Sequence, residues 1–274
     1  MKQARLLYWL LLLAPLPGSA RTAPAVSGLT PALQSATPET PAPAQHTKVL
    51  IAAAADLRYA MDTLVSVYKQ SHPGADVQVV YGSSGNFYEQ IRNGAPFDLF
   101  FSADRSYPDQ LQTQGKILGK VADYGIGKLV LWSKNLDPTV RGIQTLEDPS
   151  VVKIAIANPD HAPYGKRAVE SLRFYGLYDK VSSKLVLGEN ISQTAQFAMS
   201  GSADVGLVAL ALALSPPMRE GKFWVVPDES HGRLEQGFAL LTHAQGNADA
   251  ASFQAFIGSA GAKEILNRFG FGQP

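Results

Sequence analysis

The chain has 274 residues, with 24 Lys and Arg against 23 Asp and Glu, a formal net charge of +1, and no cysteine. A near-neutral chain without a long basic run disfavours nucleic-acid binding. Lack of cysteine excludes thiolate metal sites, cysteine nucleophiles and disulfide support.

At the amino terminus, Lys2 and Arg5 precede the apolar run Leu6 to Leu13. Pro15, Pro17 and the small residues Gly18 to Ala20 follow, which is the pattern of a cleaved export signal over residues 1–20. The run is shorter than the roughly 20 residues a membrane span needs, and no other stretch is long and apolar enough to span a bilayer; the most apolar, Val205 to Leu214, reads as a buried strand and the start of a helix. Residues 21–47 carry Pro24, Pro31, Pro38, Pro41 and Pro43 among Ala, Thr and Ser, the composition of a disordered linker.

From Lys48 onward, β-prone runs alternate with helical spacing. Lys48 to Ala53 is a predicted strand, and Leu57, Ala60, Met61, Leu64, Val65 and Tyr68 are spaced as one helix face, stopped by His72-Pro73-Gly74. Further strands are predicted at 76–81, 99–102, 128–133, 153–157, 184–187, 204–209, 223–227 and 237–241. Helices are predicted at 86–93, 166–175, 191–200, 248–257 and 262–269. Repeated strand–helix units imply an α/β fold with open, mostly parallel sheets. Ligands of such sheets sit beyond the carboxyl ends of the strands, beside helix amino termini.

Four turns in such places stand out: Ala52 to Asp56, Gly82-Ser83-Ser84-Gly85, His161 to Gly165, and Gly188-Glu189-Asn190. The first amides of a helix have no intrahelical partner and carry partial positive charge, so several converging ends form an anion site without Lys or Arg. Each turn taken alone is better explained as a helix cap than as a ligand site, and Asp56 in particular reads as the N-cap of the helix after it. The histidines, at positions 46, 72, 161, 231 and 243, lack helical metal-ligand spacing. Ser83 or Ser84 with His161 or His231 and an Asp could form a hydrolase triad, but Gly-Ser-Ser-Gly-Asn lacks the G-x-S-x-G spacing of a nucleophile elbow.

The strings VLIAAAADLRYAMDTLVSVYKQ, VVYGSSGNFYEQIRNGAPFDLFFSAD, YGIGKLVLWS, IAIANPDHAPYGKRAVE, LVLGENISQTAQFAMSGSADVGLVAL and ILNRFGF occur in this order between Lys48 and Gly272. Together they resemble the periplasmic molybdate-binding proteins of ATP-driven uptake systems. The resemblance implies a two-lobed type II periplasmic binding fold whose chain crosses twice between lobes. It places lobe one at 48–125 and 228–274 and lobe two at 126–227.

Carried over to this chain, Ser84 would give hydroxyl and amide, and Tyr164 and Ile191 backbone amides. The turn at Ala55 and Asp56 would give the remaining amides. Ser83, read from the Gly-Ser-Ser-Gly turn itself and not from the resemblance, adds a further hydroxyl donor. The family usually has a hydroxyl residue where Ala55 stands, and some members have a tyrosine at the place of Ala209. If Asp56 faces the ligand it offers an acceptor, which would admit a protonated ion such as hydrogen phosphate. Sulfate or phosphate is therefore the alternative ligand to molybdate and tungstate. No cofactor is expected, and molybdenum enters only as the centre of the oxyanion. The expected partners are a membrane ABC permease and its ATPase, with no nucleic acid. The protein is expected to be a monomer, exported to the periplasm and without enzymatic activity.

Overall fold

A computed structural model describes residues 47–274, all within one compact unit. The expected signal segment, and the expected linker apart from Thr47, lie outside the described residues. In chain order the elements are β1 (Val49–Ala54), a 3-10 turn (Ala55–Leu57) leading into α1 (Arg58–Ser71), β2 (Val77–Gly82), α2 (Ser84–Arg92), β3 (Leu99–Ser102), α3 (Ser106–Thr113) and β4 (Ile117–Gly127). There follow β5 (Leu129–Ser133), α4 (Pro138–Arg141), β6 (Ile154–Ala157), α5 (Pro163–Phe174), α6 (Tyr178–Val181), β7 (Leu185–Gly188), α7 (Ile191–Ser200), β8 (Val205–Ala209), α8 (Leu210–Ala213) and β9 (Lys222–Val225). The chain ends with β10 (Leu234–Leu241), α9 (Ala248–Ile257) and α10 (Ala260–Arg268).

The strands form two five-stranded sheets with the same plan, in the orders β2-β1-β3-β10-β4 and β7-β6-β8-β5-β9. In the first sheet β1 pairs in parallel with β2 and β3, while β10 runs antiparallel to its neighbours β3 and β4. In the second, β6 is parallel to β7 and β8, and β5 is antiparallel to β8 and β9. Each sheet therefore has four strands in one direction and one inverted, a mostly parallel arrangement. The inverted strands are those that follow a change of sheet. The chain leaves β4 at Gly127 and begins β5 at Leu129, and it returns between Val225 and Leu234. A strand entered from the junction runs away from it, whereas strands that lead into helices run towards it.

The apolar spacing of α1 gives a buried stripe of Ala60, Met61, Leu64 and Tyr68; each large apolar side chain so covered contributes about 1.5–3 kcal/mol. The central strands β3, β5, β6 and β8 are buried on both faces, as their nearly continuous apolar sequences require. Phe101 stacks on Phe238 at 4.9 Å between ring centroids in the first lobe. In the second, buried Trp132 satisfies its indole N–H on the carbonyl of Met218 at 3.1 Å.

The elements differ from the sequence reading chiefly at β4 and α3, which it did not predict. Eleven-residue β4 mixes buried and exposed positions, contains Gly119 in the left-handed region at φ 78°, and shifts register against β10 in two places. Those irregularities erase the period-2 signal.

Candidate functional site

The carboxyl ends of the parallel strands of both sheets face one junction, and the helices that follow begin there. Helix α2 begins at Ser84, after an extended Ser83. Helix α5 begins at Pro163 after extended Ala162, proline being suited to a first turn because the missing N–H has no role there. Before α7, the side chain of Asn190 accepts from the amides of Ser192 at 3.0 Å and Gln193 at 3.1 Å. The amide of Ile191, the first of that helix, is not among those it takes. The 3-10 turn at Ala55–Leu57 supplies the fourth end.

These ends close on a small cavity of about 10 Å³ lined by Ala54, Ala55, Asp56, Gly82, Ser83, Ser84, Ala103, Ala162, Pro163, Tyr164 and Ile191. All six residues expected from the sequence (Ala55, Asp56, Ser83, Ser84, Tyr164 and Ile191) are brought together. No Lys or Arg belongs to this lining among the described residues. A larger groove between Arg58, Tyr59 and α7 is open at the surface.

Ser84 is 1 % exposed. Its Oγ accepts the Ala103 amide at 2.9 Å, which fixes the oxygen and leaves the hydroxyl proton to be donated. Ser83 Oγ lies 2.9 Å from His161 Nδ1. This is one of several contacts that join the lobes across the cavity. The Gly85 amide donates to the His161 carbonyl at 2.9 Å, Ser192 Oγ donates to the Ala55 carbonyl at 2.8 Å, and Asn86 Nδ2 donates to Glu189 Oε1 at 2.6 Å. A β-carbon on Gly85 would stand 2.7 Å from the His161 oxygen, so this close approach requires glycine.

Asp56 does not cap the helix as expected: neither the 3-10 turn nor α1 has a side-chain cap. The carboxylate is turned inward, 1 % exposed. Its Oδ2 accepts from Gln236 Nε2 at 2.8 Å, and the same nitrogen lies 3.1 Å from the Tyr164 hydroxyl. Oδ1 is buried without a hydrogen-bond partner among the described residues. Burial pushes the Asp56 pKa up to about 6, against the opposing pull of Gln236, Tyr164 and the amides of Asp56 and Leu57. Burial also holds the phenols of Tyr164 and Tyr124 well above their usual range, with the Asp56 charge adding to it.

Sequence reasoning missed Gln236 and Ala103. Gln236, 0 % exposed, sits one residue before the predicted start of the last strand. A polar residue leading into an apolar run gave no sign that it faces inward. Gly127 is also part of this arrangement, since a β-carbon there would lie 2.3 Å from the Tyr164 hydroxyl and 2.4 Å from Gln236 Nε2. His231 lies apart from these residues, its Nδ1 against the carbonyl of Gly232 at 2.8 Å.

Comparison with known proteins agrees with this geometry. The molybdate-binding protein ModA of Azotobacter vinelandii is 34% identical over 231 residues, covering 84% of this chain and 91% of that protein. ModA of Rhodobacter capsulatus is also 34% identical over 231 residues, with 84% and 90% covered. The solved structure of the Azotobacter vinelandii periplasmic molybdate-binding protein superposes with a TM-score of 0.76 at 32% identity, covering 83% of this chain and 100% of that one. The superposition bears out the two-lobed type II binding fold. Residues 49–272 match the model of the bacterial extracellular solute-binding proteins, and the chain belongs to that family.

Proposed function

We propose that this protein captures molybdate, and tungstate with it, outside the cytoplasm and delivers it to an ABC permease driven by its ATPase. The observation that carries this reading is the convergence of four helix ends, two from each lobe, on one small cavity without a cationic side chain. A buried dianion needs many donors, because an unpaired buried charge is very costly. Amide ends and hydroxyls supply them without neutralising the ion by a fixed ion pair, so release needs only that the lobes part.

In this reading the ion is held from the first lobe by the Ser84 hydroxyl and amide, the Ser83 hydroxyl and the turn at Ala55 and Asp56. The Tyr164 and Ile191 amides hold it from the second lobe. No bond is made or broken and no cofactor takes part. The protein acts as a monomer in the periplasm, exported by the signal over residues 1–20.

A hydrolase would need the Ser83–His161 contact to act as a nucleophile and base. The acidic group nearest the far side of that imidazole is Glu189 at 3.8 Å, and its side chain is 60% exposed. An acid so placed does not fix the ring as a triad requires. The contact reads as part of the closure between lobes, and no turnover of ester substrates is expected.

Thermal unfolding with molybdate, tungstate, sulfate and phosphate added separately tests the ligand. An ion at 100 times its dissociation constant stabilises by about 2.7 kcal/mol. A rise in Tm with molybdate and tungstate alone is expected. A rise with sulfate or phosphate instead would keep the oxyanion site and replace the ion.

A further inference from the structure

Asp56 sets an electrostatic problem that the proposed function leaves open. A carboxylate lining a cavity for a dianion repels the ligand. Yet Asp56 is almost fully buried and lines that cavity, and its Oδ1 has no hydrogen-bond partner among the described residues. Oδ2 is occupied by Gln236. Buried polar atoms without a partner are rare enough to call for a reason. The residue before it is Ala55, where the resemblance leads one to expect a hydroxyl donor.

We propose that Asp56 binds the oxyanion as the neutral acid, donating its Oδ1 proton to an oxygen of the ion in place of the hydroxyl missing at Ala55, so that capture takes up one proton. The inference rests on the oxyanion reading of the cavity. One proton moves from solvent to Oδ1 on capture and returns on release. The titratable groups that face Asp56 are Tyr164 from α5 and Tyr124 from β4, both neutral phenols; Gln236 from β10 does not titrate. None of them can supply the proton near neutral pH, so it comes from solvent. Burial already favours the neutral acid before the ion arrives, and a neighbouring dianion favours it further.

The chemistry separates this site from one with a hydroxyl at the same place, which binds a dianion with no proton uptake. It also assigns the acid to the protein rather than to the ligand, unlike a site in which a carboxylate accepts from a protonated ion.

The test is titration calorimetry with sodium molybdate in two buffers of different ionisation enthalpy, repeated from pH 6 to pH 8.5, on the wild type and Asp56→Asn. Asparagine copies the neutral acid, with an N–H donor where the acid has O–H. The wild type is expected to take up close to one proton per ion at pH 8 and to lose affinity by up to tenfold per pH unit there. Asp56→Asn is expected to take up none, to lose the slope, and to bind more tightly than the wild type at pH 8.5. Binding by the wild type without proton uptake overturns the proposal, as does an unchanged slope in Asp56→Asn. If the wild type binds no oxyanion at any pH, the proposed function itself fails, which is a separate result.

Discussion

Ser84 has one oxygen serving two purposes: it accepts the Ala103 amide at 2.9 Å and keeps its own proton for the cavity. Removing it leaves an amide unsatisfied and takes one donor from a charged ligand. Hydrogen bonds to charged groups contribute about 1.5–3 kcal/mol. Ser84→Ala is therefore expected to weaken molybdate binding by roughly 10- to 150-fold, by the same measure, with little change in the fold by circular dichroism. Asp56 carries a different signature, visible without any ligand. Its folded pKa of about 6 stands above the ordinary 3.8. A raised carboxyl pKa gives stability that is full below about pH 4 and is lost as the pH rises through 6. A shift of about two units corresponds to about 3 kcal/mol. The ligand-free wild type is expected to lose about that much relative to Asp56→Asn between pH 4 and pH 7. Urea unfolding measures it, and parallel pH curves for the two proteins would refute the assignment.

At the scale of elements, helix ends make the site and glycines let them meet. Gly85 lies in the first turn of α2, where alanine is the better helix former by about 1 kcal/mol. In the closed arrangement, however, its β-carbon would collide with the His161 carbonyl. Gly85→Ala is thus expected to be at least as stable as the wild type without ligand. It should bind molybdate at least tenfold more weakly, since a collision worth about 1.4 kcal/mol suffices. Unchanged affinity would show that the approach of α2 to the His161 turn is not needed for binding. Most elements were legible in the sequence because each is governed by its own residues: the stripe of α1, the apolar runs of β3 and β8, Pro163 opening α5. Strand β4 was not, because its regularity comes from β10 alongside it, and β10 enters over a hundred residues later.

For the whole molecule, function depends on two lobes that meet through polar contacts across the cavity and through apolar ones where α8 packs on α1. Asn86 and Glu189 meet across the mouth of the cavity, and the chain has no cysteine of its own. Cysteines placed at both positions and joined by a short thiol cross-linker are expected to trap bound molybdate. Its dissociation should slow by at least a hundredfold if parting of the lobes is the release step, as proposed, and reduction of a cleavable linker should restore it. Stopped-flow displacement by tungstate follows this directly, and equal rates with and without the link would refute lobe opening as the exit.

By itself the sequence determined the alternation of strands and helices, the four turns before helices and the resemblance over Lys48 to Gly272. All of these depend on residues close together in the chain. It also indicated which turns were suited to an anion, because small, hydroxyl and glycine residues before a helix leave its amides accessible. Only the tertiary structure decided that all four turns meet at one cavity. That depends on two sheets, each with one inverted strand, directing their strand ends to a common junction. It alone decided the orientation of Asp56. As a helix cap Asp56 would have faced solvent; held by Gln236, 180 residues later in the chain, it faces inward. No local propensity encodes a contact of that separation.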